Sequence, residues 1–165
     1  MKIAITGHTK GIGARLYQHL SPNSIGFSKS TGYDITNPMD RARIVQESKD
    51  CDIFINNARS EFSQTSMLLD MYRIWYNDPS KTIINVGSIV AEKKIVPSAR
   101  HDLLDYQAQK YSLKQTSQQL SEISKCKIIY KWFGYVGTEK ILAKYPHFTP
   151  DQYITEDQAV DIILS

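Results

Sequence analysis

"KIAITGHTKGIGARLYQHL", Lys2 to Leu20, reads as a short β-branched strand, a turn with glycines at Gly7, Gly11 and Gly13, and then a helix. The spacing is Gly-x-x-x-Gly-x-Gly, not the Gly-x-Gly-x-x-Gly of the commoner dinucleotide fingerprint. Glycine is required where a backbone turns tightly or comes close to a phosphate. The helix behind it offers free N–H groups and the positive end of its dipole to an anion. A strand, a glycine turn and a helix in that order form the opening unit of an α/β sheet.

The remaining chain continues the alternation. Near-continuous apolar runs stand at 2–6, 24–28, 51–56, 82–87 and 127–133, with a minimal strand also expected at 32–35. Runs without in-out alternation suit strands covered on both faces. Between them lie helix signals. Asn37 is placed to cap a helix whose first residue is Pro38. Met67, Leu68, Met71, Ile74 and Trp75 recur at about 3.6 residues. A long polar helix is expected from about Ala99 to Ser124, with Leu103, Leu104, Tyr111, Leu120 and Ile123 as core candidates. Thr155 and Gln158 stand in capping-box register before the C-terminal helix. The pattern predicts one α/β domain over 1–165, a doubly wound parallel sheet in three layers.

Composition narrows the class. In 165 residues the formal net charge is +3 and the lysines are scattered, which argues against a nucleic-acid or membrane surface. No run has the length of a membrane span. Cys51 and Cys126 lie far apart, and His8, His19, His101 and His147 form no cluster, so reduced structural thiols and no metal site are expected. The expected location is the cytoplasm.

Five motifs in order resemble the short-chain dehydrogenases/reductases: "TGHTKGIG" at 6–13, "NNAR" at 56–59, "INVGS" ending at Ser88, "YQAQK" at 106–110, and "FGYVGT" at 133–138. The resemblance covers nearly the whole chain. It implies the Rossmann-type fold, here shortened and without its last strand, with a short substrate lid at about 138–154. It also implies catalytic roles for Ser88, Tyr106 and Lys110: a tyrosine acid/base, a lysine one turn away that lowers its pKa and holds the nicotinamide ribose, and a serine that steadies the substrate oxygen. The cofactor positions carried over are Gly7, Thr9, Lys10, Gly11, Ile12, Gly13, Ser28, Lys29, Asp34, Ile35, Asn57, Ala58, Tyr106, Lys110, Val136 and Thr138.

Charge bears on which nicotinamide cofactor is used. The second strand ends "GFSKS" without an acid, and Lys10 and Lys29 are available for a 2′-phosphate, which favours NADP(H) while leaving NAD(H) open. The alternative is that both lysines face solvent. Asp34 resembles the family aspartate at the adenine ring and could equally serve a tight turn before Asn37. The implied activity is NADP(H)-dependent oxidation or reduction of a small carbonyl or alcohol. Homodimers or homotetramers through helices at about 61–77 and 99–124 are implied as well.

The chain also departs from the pattern. The helix asparagine of the family's proton relay has no evident counterpart, with Gln64 or Ser66 as substitutes, while Arg59 replaces a glycine and Phe133 a proline. These departures, with the small lid, support a second reading: a nucleotide-binding sensor or regulatory module that keeps the fold without turnover. An epimerase or dehydratase using the same tyrosine and lysine is the third.

Overall fold

The computed structural model describes residues 1–94 and 101–165. Five parallel strands form one sheet in the order β2-β1-β3-β4-β5: β1 Ile3–Thr6, β2 Ser24–Phe27, β3 Ile53–Asn56, β4 Thr82–Val86 and β5 Lys127–Lys131. The order in which strands are added switches sides between β1 and β3, which run parallel, and there the carboxyl ends open the crevice that such sheets use for ligands.

Helices α2 (Pro38–Ser48), α3 (Ser63–Trp75) and α4 (His101–Ile123) cover one face; α1 (Gly11–Leu20) and α6 (Glu156–Leu164) cover the other. The apolar runs explain this directly. Ala4, Phe54 and Ile83 point to the first layer, against Ile44, Met67, Met71 and Leu113. Their neighbours Ile3, Ile5, Ile55 and Ile84 point to the second, against Leu16, Val160 and Ile163. Asn37 caps α2 by accepting from Met39 N, and Thr155 caps α6 in a reciprocal box with Gln158.

Several sequence expectations are corrected. Residues 32–35 form no strand: Gly32, left-handed at φ +86°, ends a 3-10 turn, and the Asp34 carboxylate accepts from Thr36 N and Oγ1. That is the tight turn read as the alternative role for Asp34. Ile74, Leu103, Tyr111 and Ile123 are exposed, whereas Leu113 is the buried anchor of α4. The predicted start of that helix at Ala99 lies outside the described residues.

On the face under α3 and α4, the sheet changes character toward its carboxyl edge. Paired positions Phe54, Ile83 and Ile128 are apolar, and two residues further on the same face holds Asn56, Asn85 and Tyr130. This buried polar rung underlies the site.

The short helix α5 (Glu139–Lys144) belongs to a loop whose base is pinned by a parallel bridge between Val136 and Ile154. Tyr145 and Phe148 stack at 4.8 Å inside it, and Tyr135 meets Phe148 edge-on at 4.9 Å.

Candidate active site

The glycine turn has the geometry its sequence requires. Gly7 and Gly11 adopt φ of +74° and +52°, a region that favours glycine. A Cβ at Gly13 would lie 2.0 Å from the Gly7 carbonyl oxygen, so only glycine lets α1 start this close to β1. Thr6 Oγ1 accepts from the backbone N–H of Asn57 and of Ala58, both at 3.0 Å, and Asn57 Nδ2 donates to Thr6 O at 3.1 Å. These bonds lock the ends of β1 and β3 together across the crevice.

A cleft of about 490 Å³ opens there, lined by the Gly7–Lys10 turn, Phe27–Ser30, Tyr33–Ile35 and Asn57–Ser60. It gathers nine of the predicted cofactor residues: Gly7, Thr9, Lys10, Ser28, Lys29, Asp34, Ile35, Asn57 and Ala58. Gly11, Ile12 and Gly13 stand behind the turn as the first residues of α1, which has no side-chain cap. Thr138 reaches the same turn, its Cγ2 lying 3.3 Å from where a Gly11 Cβ would be. Val136 is buried at the base of the loop that holds α5.

Lys29 and Asp34, predicted for separate contacts, are paired at 2.7 Å across the 3-10 turn. The lysine and the Thr36 donors hold the Asp34 carboxyl down to about 2. Lys29 remains largely exposed, so the pair is held weakly. Lys10 enters none of the ion pairs among the described residues. Ser28 Oγ lies 3.1 Å from His8 Nδ1 and caps the same 3-10 turn.

Ser88, Tyr106 and Lys110 stand beyond the cleft, where β4 meets α4. Ser88 is buried; its N–H donates to Tyr130 Oη at 3.3 Å, and its Oγ accepts from Val90 N at 3.4 Å, which leaves the hydroxyl proton to donate. Tyr130 lies over Gly87, where a Cβ would come within 2.2 Å of its ring. Burial pushes the Tyr130 phenol up to about 12. It therefore stays neutral and keeps its own proton.

Lys110 is 4% exposed, with Nζ donating to Gln64 Oε1 at 2.8 Å and to Val86 O at 2.9 Å. Burial first, and then the nearby Arg59 charge, bring it down to about 7. Gln64 in turn donates to Asn56 O and Val86 O, and Asn56 donates to Gln64 O and Asn85 Oδ1. Gln64, offered by the sequence as one of two substitutes for the relay asparagine, therefore binds the lysine directly. Sequence reasoning missed Tyr130 and Gln107, whose Nε2 ties α4 to Val90 O and Lys93 O. The signal for Tyr130 was its place on β5 opposite the "NVGS" end of β4.

Arg59 joins the two regions. It lines the cleft, and its Cζ stands 4.6 Å from the centroid of the Tyr106 ring. Among the described residues, no group of three or more His, Cys, Asp and Glu side chains could hold a metal ion. No described helix is long and apolar enough to cross a membrane.

No family model matches the chain, and no curated protein matches it significantly. Solved structures do match its fold. A short-chain dehydrogenase from Burkholderia cenocepacia in complex with NADP is 21% identical, with a TM-score of 0.72 over 99% of this chain and 84% of that one. The 3α-hydroxysteroid dehydrogenase of a Pseudomonas species, complexed with NADH, is 17% identical, with a TM-score of 0.75 over 99% and 88%. A short-chain dehydrogenase from Sphingobium yanoikuyae in complex with NADPH is 17% identical, with a TM-score of 0.72 over 99% and 83%. The chain has the short-chain dehydrogenase/reductase fold.

Proposed function

We propose that the protein is an NADP(H)-dependent oxidoreductase of the short-chain dehydrogenase/reductase family, acting on a small carbonyl or alcohol. The observation that carries this reading is the convergence of two things at one sheet edge. One is a turn that only glycine can form; the other is a tyrosine and a buried lysine one helical turn apart. The residues fit the cofactor. The pyrophosphate would lie on the Gly7–Gly13 turn and the uncapped N–H groups of α1. Lys10 and Lys29 would meet a 2′-phosphate, Asp34 and Ile35 the adenosine side, and Asn57 and Ala58 the ribose edge. Val136 and Thr138 would flank the nicotinamide, whose ribose Lys110 would reach. When bound, the nicotinamide supplies or accepts the hydride.

In the reductive direction Tyr106 Oη gives its proton to the substrate oxygen, and in the oxidative direction it takes the proton from the alcohol. Ser88 Oγ–H donates to that oxygen where negative charge gathers. Below about pH 7 Lys110 holds positive charge near the phenol, and Gln64 and Val86 O keep its amine in place. The loop 138–154, closed on itself by its aromatic cluster, acts as a small lid over the substrate. The exposed apolar residues of α3 and α4, Ile74, Leu103 and Tyr111, support association through those helices.

A nucleotide-binding module without turnover is the second reading, and the placement of Arg59 against Tyr106 favours it. One experiment separates the two. NADPH and NADH are titrated by energy transfer from tryptophan; Trp132, half exposed after β5, is the better-placed donor. NADPH oxidation by small aldehydes is then followed. Preferred NADPH binding with turnover supports the enzyme. Binding without turnover supports the module, and binding of neither cofactor refutes both.

A further inference from the structure

Among the described residues the cleft holds three cations, Lys10, Lys29 and Arg59, against one carboxylate, Asp34, and that carboxylate is already taken by Lys29. Arg59 is exposed and enters none of the ion pairs among the described residues. It is nevertheless not free to wander, because its guanidinium lies over the Tyr106 ring. A stacked guanidinium keeps its N–H edges open. Those edges form a rigid fork that matches a carboxylate or a phosphate in a paired hydrogen-bond geometry. Tyr130 and Tyr135 stand close enough for their phenols to sense Tyr106, and they offer no cation. Among the described residues, Lys110 is a further nearby cation, buried and directed at Gln64 and Val86 O.

We propose that Arg59 is a specificity residue that selects substrates carrying an oxyanion, a carboxylate or a phosphate, a few bonds from the reacting carbonyl. This rests on the oxidoreductase reading above. With the fork over the face of Tyr106 and the phenol hydroxyl at the ring's edge, a short bifunctional molecule can reach both. Its oxyanion pairs with Arg59 while its carbonyl oxygen takes the Tyr106 proton. The dinucleotide's own pyrophosphate is the competing source of oxyanion, but its seat lies at the Gly7–Gly11 turn beside Lys10. Arg59 stands instead on the Tyr106 side of Ala58, whose backbone abuts Gly7.

The test uses the full chain with NADPH, and a pair of aldehydes of equal carbon number, 4-oxobutanoate and butanal. The charged aldehyde is expected to have the higher kcat/KM by about tenfold or more, the scale of one charge-assisted contact. Arg59→Gln should collapse that ratio toward one, and Arg59→Lys should restore part of it. A readout without turnover accompanies this: calorimetric titration of 4-hydroxybutanoate and of butan-1-ol into the complex with NADP+. Binding of the acid alone, lost in Arg59→Gln, supports the proposal. Equal behaviour of the charged and neutral ligands overturns it. So does an Arg59→Gln variant that keeps the preference but binds NADPH tenfold more weakly, which would assign Arg59 to the pyrophosphate. Failure of NADP+ to bind at all refutes the oxidoreductase reading and the proposal with it.

Discussion

Lys110 and Gln64 share a hydrogen bond in the interior: Nζ donates to Oε1 at 2.8 Å, and both side chains are more than nine-tenths removed from solvent. Among the described residues no carboxylate accompanies the ammonium, whose partners are an amide oxygen and the carbonyl of Val86. A buried lysine so placed is costly when charged, and this cost shapes its titration.

Removing the amide acceptor should expose that cost. Gln64→Leu is expected to lower kcat by about tenfold or more, as loss of a positioning contact in acid/base chemistry does. Gln64→Glu should raise the Lys110 pKa by placing a carboxylate beside it. Carbon-13 chemical shifts of the lysine side chain against pH would register the change without any turnover. An unmoved lysine titration in both variants would show that Gln64 does not govern it.

The same burial predicts a pH dependence of stability. In the folded protein Lys110 is held down to about 7, against 10.5 for the free group. Below about pH 7 both folded and unfolded chains carry the proton, and the buried charge exacts its full cost. Between pH 7 and 10.5 the folded protein has released a proton that the unfolded chain keeps, so stability rises with pH. Lys110→Met removes this titration. The wild type should therefore gain on the variant between about pH 6 and about pH 10 in urea midpoints, and a constant difference contradicts the assignment.

Lys10 and Lys29 should differ in effect because, among the described residues, only Lys29 has a carboxylate partner. Lys10→Ala is expected to weaken NADPH about tenfold and NADH less than about twofold. Lys29→Ala should weaken NADPH while leaving NADH unchanged or tighter, since it frees Asp34 to meet ribose hydroxyls. Equal losses for both cofactors would refute the phosphate assignment.

Tyr106→Phe keeps the ring under Arg59 and removes only the hydroxyl. Turnover should fall by at least about a hundredfold, with cofactor affinity unchanged. Retained activity would exclude Tyr106 as the proton donor.

Two glycines offer a contrast in stability. A methyl at Gly13 would meet the Gly7 carbonyl oxygen at 2.0 Å, while one at Gly134 has nothing within 4 Å. Gly13→Ala should cost about 1–3 kcal/mol or more and lower the melting temperature by several degrees. Gly134→Ala should leave the melting temperature near that of the wild type. Equal melting temperatures would mean that the turn relaxes to accept the methyl.

Local chemistry alone was enough to read much of this protein. β-branched runs without alternation announce a doubly covered sheet, and the caps at Asn37 and Thr155 mark helix starts because their side chains bond within their own first turns. The glycine turn is legible for the same reason. The misreadings were of two kinds. Residues 32–35 have strand-like composition, but the Asp34 side chain satisfies the backbone within the segment as a turn. On α4, Leu103, Tyr111 and Ile123 are apolar at helix-compatible spacing, yet which face meets the sheet depends on where α4 is laid down, and Leu113 takes that place.

The sequence by itself determined the layered α/β architecture, the glycine turn and the pairing of Tyr106 with Lys110 on one helical face, because each depends on residues a few positions apart. Only the tertiary structure decided that Lys110 turns inward to Gln64, that Lys29 and Asp34 engage each other, and that Arg59 lies on Tyr106. Except for Lys29 and Asp34, five residues apart, these partners are separated by dozens of residues. In every case it is the packing around the sheet edge, rather than the spacing of the residues, that sets where each charge finds its partner.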